Sequence, residues 1–320
     1  MLWGMNCRII SGGFRCEHCV GANRGPLNTV HHHSTQFLGV IITDYSVVRD
    51  FWGRPYVSTD GGPLLFEGGR RTPANAVAYT RISTLSGALD DKGGLVDWAA
   101  AMAMIGLVKS KPLYAQVAHL VSAYSQPWYS TGKKPLKELV QKAKDLGGAD
   151  DAAGMGTAFH GICEVIDNKL APQYVPDELV PFIEARTAAL EDFEPVLIEP
   201  FVINDELGTA GNPDRFLRHI PTGMVYAADD KTGLDEPKYP LKVTIQVAIA
   251  SRSDLYDQQT GERTPIECDQ SRGILIHTPL RADKPVCELF WLDLDKGWEL
   301  AKLAAHVRDV KKIEKLKRIK

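Results

Sequence analysis

Two acidic side chains and one lysine are adjacent in the stretch AADDKTG, which follows residues with strand character. In a β-strand, alternate side chains face opposite sides, so Asp229 and Lys231 would share one face and Asp230 would take the other. Asp214 lies near a turn one strand earlier, where hairpin pairing would place it beside Asp229, and Glu199 lies in the strand before that. The spacing predicts that three acids and a lysine meet at one end of a small sheet.

This set of residue types suits the hydrolysis of a phosphodiester bond. Clustered carboxylates raise one another's pKa unless a cation lies among them. Mg²⁺ is a hard cation that takes oxygen ligands and keeps several waters, so it fits such a cluster. A lysine beside the ion can orient a water or neutralise charge that develops on a phosphate. A solvated turn and strand end would explain the same residues without any chemistry.

The elements that must position these residues follow from apolar periodicity and from glycine and proline boundaries. Helices are predicted over residues 93–108, 112–125, 133–147, 156–170, 177–193, 239–256 and 297–318. Strands are predicted over residues 195–205, 211–220, 223–231, 273–279 and 286–294. This order predicts an α/β fold with a mixed central β-sheet flanked by helices, behind a helical N-terminal portion.

Composition sets outer bounds. The chain has 320 residues, of which 44% are hydrophobic and 24% are charged, which is ample for a continuous core. The net charge of −3 means that a polyanionic partner would need a local basic groove. Six cysteines without a secretory signal favour a reducing compartment, and the longest apolar run, residues 98–108, is too short to span a bilayer. We expect a cytoplasmic protein with no membrane partner.

The ordered motifs resemble a known family. GNPDR followed by DDKTG resembles the PD-(D/E)xK nuclease superfamily, in particular its RecB-like exonuclease branch, which has bacterial and bacteriophage members. That branch has a helix with G-T-x-x-H, a strand with a glutamate, a G-x-x-D hairpin, a strand ending in D-x-K-T-G and a helix with Q-x-x-x-Y. This chain has GTAFH, Glu199, GNPD, DDKTG and QVAIA in that order, over about residues 150–300. The resemblance implies a restriction-endonuclease-like core.

The resemblance also implies roles for individual residues. Asp214, Asp229 and the backbone carbonyl of Asp230 would be ligands of Mg²⁺ or Mn²⁺. His160 would add a ligand from its helix, and Glu199 is a further candidate ligand. The alternatives are a satisfied core or surface position for His160 and an edge-strand position beside Pro200 for Glu199.

Lys231 would position the attacking water, and Gln246 would orient Lys231 or touch the DNA backbone. A structural role is the alternative for Gln246, since a lone polar residue in an apolar stretch needs a partner if it is buried. Where the family has a tyrosine, this chain has Ala250. The implied function is a metal-dependent deoxyribonuclease, an exonuclease that acts on linear or single-stranded DNA in recombination or repair. The alternative is a non-catalytic DNA-binding or recombination-accessory protein on the same fold.

Two further segments carry candidate binding residues. Aromatic and basic residues are interleaved around Trp128, Lys133, Lys134 and Lys137, which suits single-stranded DNA, although a solvated amphipathic helix would have the same pattern. The N-terminal part has two alternative interpretations, a zinc site or an irregular tail. The candidate zinc ligands are Cys7, Cys16, Cys19, His31, His32 and His33.

Only Cys268 and Cys287 come late in the chain and they are widely spaced, so an iron–sulfur cluster is not expected. The predicted division is an irregular or partly disordered segment over residues 1–75, a helical portion over 76–150 and the nuclease core with its C-terminal helix over 151–320.

Overall fold

The computed structural model describes residues 41–42, 47–91, 93–233, 240–313 and 318, and for 41–42 and 152–153 only the backbone. The predicted zinc ligands, Cys7, Cys16, Cys19 and His31 to His33, lie outside the described residues.

Helices and strands occur in an order close to the predicted one. The helices are α1 (Ile82–Ser86), α2 (Gly93–Lys109), α3 (Lys111–Ala123), α4 (Lys133–Gly147), α5 (Ala149–Asp167), α6 (Val180–Ala189), α7 (Leu241–Ala250) and α8 (Leu294–Val310). The strands are β1 (Ile41–Ile42), β2 (Tyr56–Ser58), β3 (Ala76–Ala78), β4 (Thr80–Arg81), β5 (Phe193–Ile198), β6 (Val202–Asn204), β7 (Thr209–Gly211), β8 (Arg215–His219), β9 (Val225–Lys231), β10 (Asp254–Tyr256), β11 (Arg263–Pro265), β12 (Asp269–His277) and β13 (Glu288–Asp293).

The central sheet has six strands in the order β1-β5-β8-β9-β12-β13. Its pairs are parallel at β1–β5 and β9–β12 and antiparallel elsewhere. A second sheet has the order β11-β10-β6-β7-β4, in which only β4–β7 is parallel, and β2 pairs with β3. The prediction of an α/β protein with a mixed sheet and flanking helices is confirmed at this level.

Alternation along β9 divides the core into two layers. Ala227 packs with Val243, Val247 and Ala248 of α7, so the odd-numbered face of β9 lies under that helix. Tyr226 and Ala228 belong to a cluster on the opposite face, with Leu190 just after α6. Neighbouring residues of β9 therefore meet different surroundings, which matters at the strand's end.

The predicted helix over residues 239–256 is wrong over its last six residues, 251–256. Helix α7 ends at Ala250, and the chain continues as strand β10. The hydroxyls of Ser251 and Ser253 donate to carbonyls of the last helical turn, which satisfies groups that an ending helix leaves unpaired. Strand β10 then pairs with β6 and β11, so the second sheet overrides the helical pattern.

Within the segment predicted to be irregular, the described residues include β2, which is fully buried. The division of the chain at residues 75 and 150 stays a prediction. Among the described helices, none combines the length and the apolar composition that a bilayer crossing requires.

Candidate active-site cleft

The β8–β9 hairpin places Asp214 beside the end of β9. Arg215 pairs with Ala228 in the antiparallel register, so Asp214, the residue before β8, falls next to Asp229. The backbone N–H of Asp230 donates to Oδ2 of Asp214 over 2.8 Å. The two aspartates that were predicted to meet are therefore neighbours.

Lys231 lies on the same face of β9 as Asp229. Its ammonium donates to the Asp229 carboxylate and, over 3.3 Å, to the backbone carbonyl of Asp230. The end of the strand is held from the other side, because the N–H of Thr278 donates to the Lys231 carbonyl over 2.8 Å. Three of the predicted groups, the Asp229 carboxylate, the Lys231 ammonium and the Asp230 carbonyl, thus lie together.

Burial perturbs the acid pair. Loss of solvent raises the pKa of Asp229 to about 6, and the charge of Asp214 adds to this rise. The pKa of Asp214 also rises to about 6, chiefly through burial, although Lys231 opposes the rise. Burial alone would lower the pKa of Lys231, but Asp229 and Asp214 outweigh it and raise that pKa. Without a further cation, the acid pair disfavours its own ionisation while Lys231 stays charged.

His160 reaches this region from α5. Donor atoms of His160, Asp214 and Asp230 all lie within 4.8 Å of one another. Burial is the main cause of a lowered pKa at His160, so its imidazole is neutral at neutral pH and can act as a metal ligand. A side chain at Gly156 would approach the Thr232 hydroxyl to 2.9 Å, so glycine there lets α5 pack closely on the DDKTG segment.

The second carboxylate in that close set, beside Asp214, is that of Asp230, whereas the predicted second carboxylate ligand was Asp229. Both oxygens of the Asp230 carboxylate are taken by guanidinium groups: Oδ1 by Arg186 over 3.1 Å, and Oδ2 by Arg186 over 3.3 Å and by Arg215. A carboxylate that is already neutralised by two cations is a poor metal ligand. Asp229, whose partner is a single lysine, is the better candidate, and Asp230 offers its backbone carbonyl.

Arg186 and Arg215 form a buried charge network that the sequence did not reveal. Each also contacts Asp167, at the end of α5, so two guanidiniums bridge two carboxylates behind β9. Burial raises the pKa of Asp230, but Arg215 and Arg186 outweigh burial and lower it below its ordinary value. The signal in the sequence was Asp230 itself, because an acid on the inner face of a strand needs a cationic partner.

The acid pair and Lys231 line a cleft of about 430 Å³, here called the acidic cleft. Asp214, Asp229, Lys231 and Gln246 all line it, and Gln246 comes from α7. The other lining residues are Arg49, Gly53, Arg81, Ile82, Ser83, Gly211, Asn212, Pro213, Ala228, Val247 and Ala250. Arg49 and Arg81 were not predicted, since their segment has no sustained periodicity.

Glu199 lies beside the acidic cleft and is not one of its lining residues. It follows β5, and its N–H donates to the Asp214 carbonyl over 3.0 Å. It adopts a left-handed φ of 46°, which is uncommon outside glycine. Partial burial and the charge of Glu164 raise its pKa.

The predicted DNA-binding residues cluster elsewhere. The ammonium groups of Lys133 and Lys137 lie 5.0 and 5.7 Å from the centre of the Trp128 ring, within the range of cation–π attraction. Lys134 is exposed on the first turn of the same helix, α4. None of these four residues lines the acidic cleft.

No protein-family model matches the chain, and no curated protein matches it. The geometry of the cleft is therefore the basis for assigning a function.

Proposed function

We propose that this chain is a metal-dependent deoxyribonuclease, an exonuclease that hydrolyses phosphodiester bonds at DNA ends or in single strands during recombination or repair. We further propose that its central sheet is the restriction-endonuclease-like core of the PD-(D/E)xK superfamily, in the RecB-like branch. One observation carries the proposal: Asp214, Asp229 and Lys231 line a single cleft, with the Lys231 ammonium in contact with both Asp229 and the Asp230 carbonyl.

The donor set fits a hard divalent cation. Two adjacent carboxylates with raised pKa values are costly to ionise without a cation, and the nearby donors are mainly oxygen atoms. Asp214, Asp229 and the Asp230 carbonyl would hold Mg²⁺ or Mn²⁺, with His160 as a nitrogen ligand beside them. When bound, such an ion polarises the phosphoryl oxygen and lowers the pKa of a coordinated water.

The chain's own residues would contribute orientation and charge. In the reaction, a water oxygen bonds to phosphorus as the bond from phosphorus to a sugar oxygen breaks, which leaves a phosphate monoester and a hydroxyl. Lys231 remains protonated at neutral pH, so its ammonium can orient the water and offset negative charge that accumulates on the phosphate. Gln246 lines the same cleft from α7, where its amide can hold Lys231 or a phosphate oxygen.

A digestion series tests the proposal. Purified protein is incubated with end-labelled linear, circular and single-stranded DNA, with Mg²⁺, Mn²⁺ or EDTA. We expect products from linear or single-stranded DNA only when metal is present, and no products from an Asp229→Ala variant. Equal digestion in EDTA would refute the metal requirement, and a fully active Asp229→Ala variant would refute the site.

The second candidate is a DNA-binding accessory protein, and Ala250 favours it. This residue replaces the tyrosine of the resembled motif and lines the acidic cleft without a polar group. Metal-independent binding of DNA, with no cleavage in Mn²⁺ by wild-type protein, would support this alternative over the nuclease.

A further inference from the structure

Two arginines face the acidic cleft from a part of the chain that lies outside the nuclease-like motifs. Nη1 of Arg49 donates to the Gly53 carbonyl over 3.3 Å. Nη1 of Arg81 lies next to the same glycine, since a side-chain carbon built at Gly53 would be 3.7 Å from it. Both guanidinium groups therefore lie close to Gly53, which is itself a lining residue of the cleft.

The segment before Asp214 fixes both arginines in place. Arg81 is in β4, which pairs with β7 so that Arg81 lies opposite Ala210. Nη2 of Arg49 donates to Oδ1 of Asn212 over 3.1 Å, and the Asn212 amide in turn donates to the Glu199 carbonyl over 3.0 Å. The turn that positions the catalytic aspartate thus also positions the two cations.

Neither arginine is neutralised by an acid within the described residues. The contacts of Arg49 are to neutral oxygens, of Gly53 and Asn212. Partial burial and the charge of Arg81 lower the pKa of Arg49, as expected for two like charges held close together. An anion placed between them would relieve this repulsion, and a phosphate matches the planar donor fork of a guanidinium.

We infer that Arg49 and Arg81 form a subsite for a second, non-scissile phosphate of the bound strand. The inference rests on the proposed function for the position of the scissile phosphate, which would lie at Asp214, Asp229 and Lys231. A strand held at two phosphates is fixed in register along the cleft. The subsite recognises the sugar–phosphate backbone, so it selects for nucleic acid without selecting for base sequence.

Binding in EDTA tests the subsite without requiring cleavage. Fluorescence anisotropy is measured with a short single-stranded oligonucleotide and with Arg49→Ala, Arg81→Ala and the double variant. A matched control is the double variant Arg70→Ala/Arg71→Ala, which removes the same charge from exposed positions that do not line the cleft. Since both arginines are exposed, we expect the variants to fold, which thermal melting checks.

We expect each single variant to weaken binding about tenfold, as for loss of a hydrogen bond to a charged group, and the control to change it less than about twofold. In the arginine variants, the slope of log affinity against log salt should become less steep than in wild type by about 0.7, the value for one phosphate contact on a single strand. For oligonucleotides with one linkage replaced by an uncharged methylphosphonate, wild type should lose affinity when the replaced linkage lies at the arginine subsite, in addition to any loss at the scissile linkage. The double variant should be insensitive to replacement at the subsite linkage.

The outcomes separate the subsite from the nuclease. If both single arginine variants bind the oligonucleotide as tightly as wild type, or lose no more affinity than the control, the subsite is overturned whether or not the protein cleaves DNA. Equal sensitivity of wild type and double variant to every methylphosphonate position would also overturn it. Arginine-dependent binding together with no cleavage in Mg²⁺ or Mn²⁺ would overturn the proposed function and leave the subsite standing.

Discussion

The substitution Asp229→Asn is expected to stabilise the metal-free protein and to abolish its further stabilisation by Mg²⁺. Asp229 is 8% exposed and contacts the Lys231 ammonium, so a simple ion-pair interpretation would predict a loss of stability. The electrostatics predict the opposite sign. Burial and Asp214 together outweigh Lys231 and raise the pKa of Asp229, which means that the folded protein prefers an uncharged group at this position.

The size of the effect follows from the pKa. A change from the ordinary 3.8 to about 6, at 1.36 kcal/mol per pH unit, corresponds to about 3 kcal/mol. For a raised carboxyl pKa, this contribution to stability is fully present below about pH 4 and is lost as the pH rises through 6. Asparagine does not titrate. The variant should therefore match wild type near pH 4 and exceed it by up to about 3 kcal/mol at pH 7.5.

Urea unfolding in EDTA at these two pH values measures the difference, and Asp230→Asn is the matched control. Asp230 is the next residue, 2% exposed, but its pKa is lowered, since Arg215 and Arg186 outweigh burial. Loss of its charge leaves two buried guanidiniums undercompensated, and we expect destabilisation of about 3–5 kcal/mol. Mg²⁺ should stabilise wild type, by about 2.7 kcal/mol at a hundred times its dissociation constant, and should not stabilise Asp229→Asn. A lower urea midpoint for Asp229→Asn in EDTA at pH 7.5 would refute this account of the acid pair.

Two further predictions concern the lysine and the helical portion. Lys231→Met should lower the cleavage rate about 10²-fold or more while Mg²⁺ still raises the unfolding midpoint, because the acids remain; unchanged single-turnover rates would contradict its proposed role. Gly106→Leu should lower the unfolding midpoint, since a Cβ there would lie 1.7 Å from the Ala143 carbonyl oxygen where α2 packs on α4. Gly94→Ala, in the same helix with nothing within 4 Å of its Cβ, should instead be neutral or stabilising, and an equal loss in both variants would contradict the packing argument.

Local patterns in the sequence were sufficient to predict the elements that carry the acids. Turn residues at Pro221 to Gly223 predicted the β8–β9 hairpin, in which Gly223 has a positive φ of 72°. Period-two alternation then placed Asp229 and Lys231 on one face and Asp230 on the other, and this prediction is confirmed by their contacts. These features depend on residues close in sequence, which is why they could be predicted.

Contacts between distant segments could not be predicted in the same way. Arg49 reaches Asn212 across 163 positions, and no periodic pattern precedes it. Arg186 was assigned to a helix correctly, yet nothing in the helical pattern pairs it with Asp230, 44 residues later. Such partners follow from how sheets and helices pack, and a single sequence contains no direct signal for that packing.

The buried network behind β9 bears on the geometry of the cleft more than on stability. Ion pairs in a protein interior regain little more than the cost of desolvating their charges, so well-packed apolar residues in place of the whole network would stabilise the fold at least as well. Hydrogen bonds from Arg186 and Arg215 add direction, because they fix the Asp230 carboxylate, and with it the peptide that precedes Lys231. The carbonyl of that peptide, on Asp230, is the group proposed to bind metal, and the N–H of Asp230, on the other side of the same residue, donates to Asp214. Fixing one side chain on the inner face thus positions two backbone groups at the edge of the cleft.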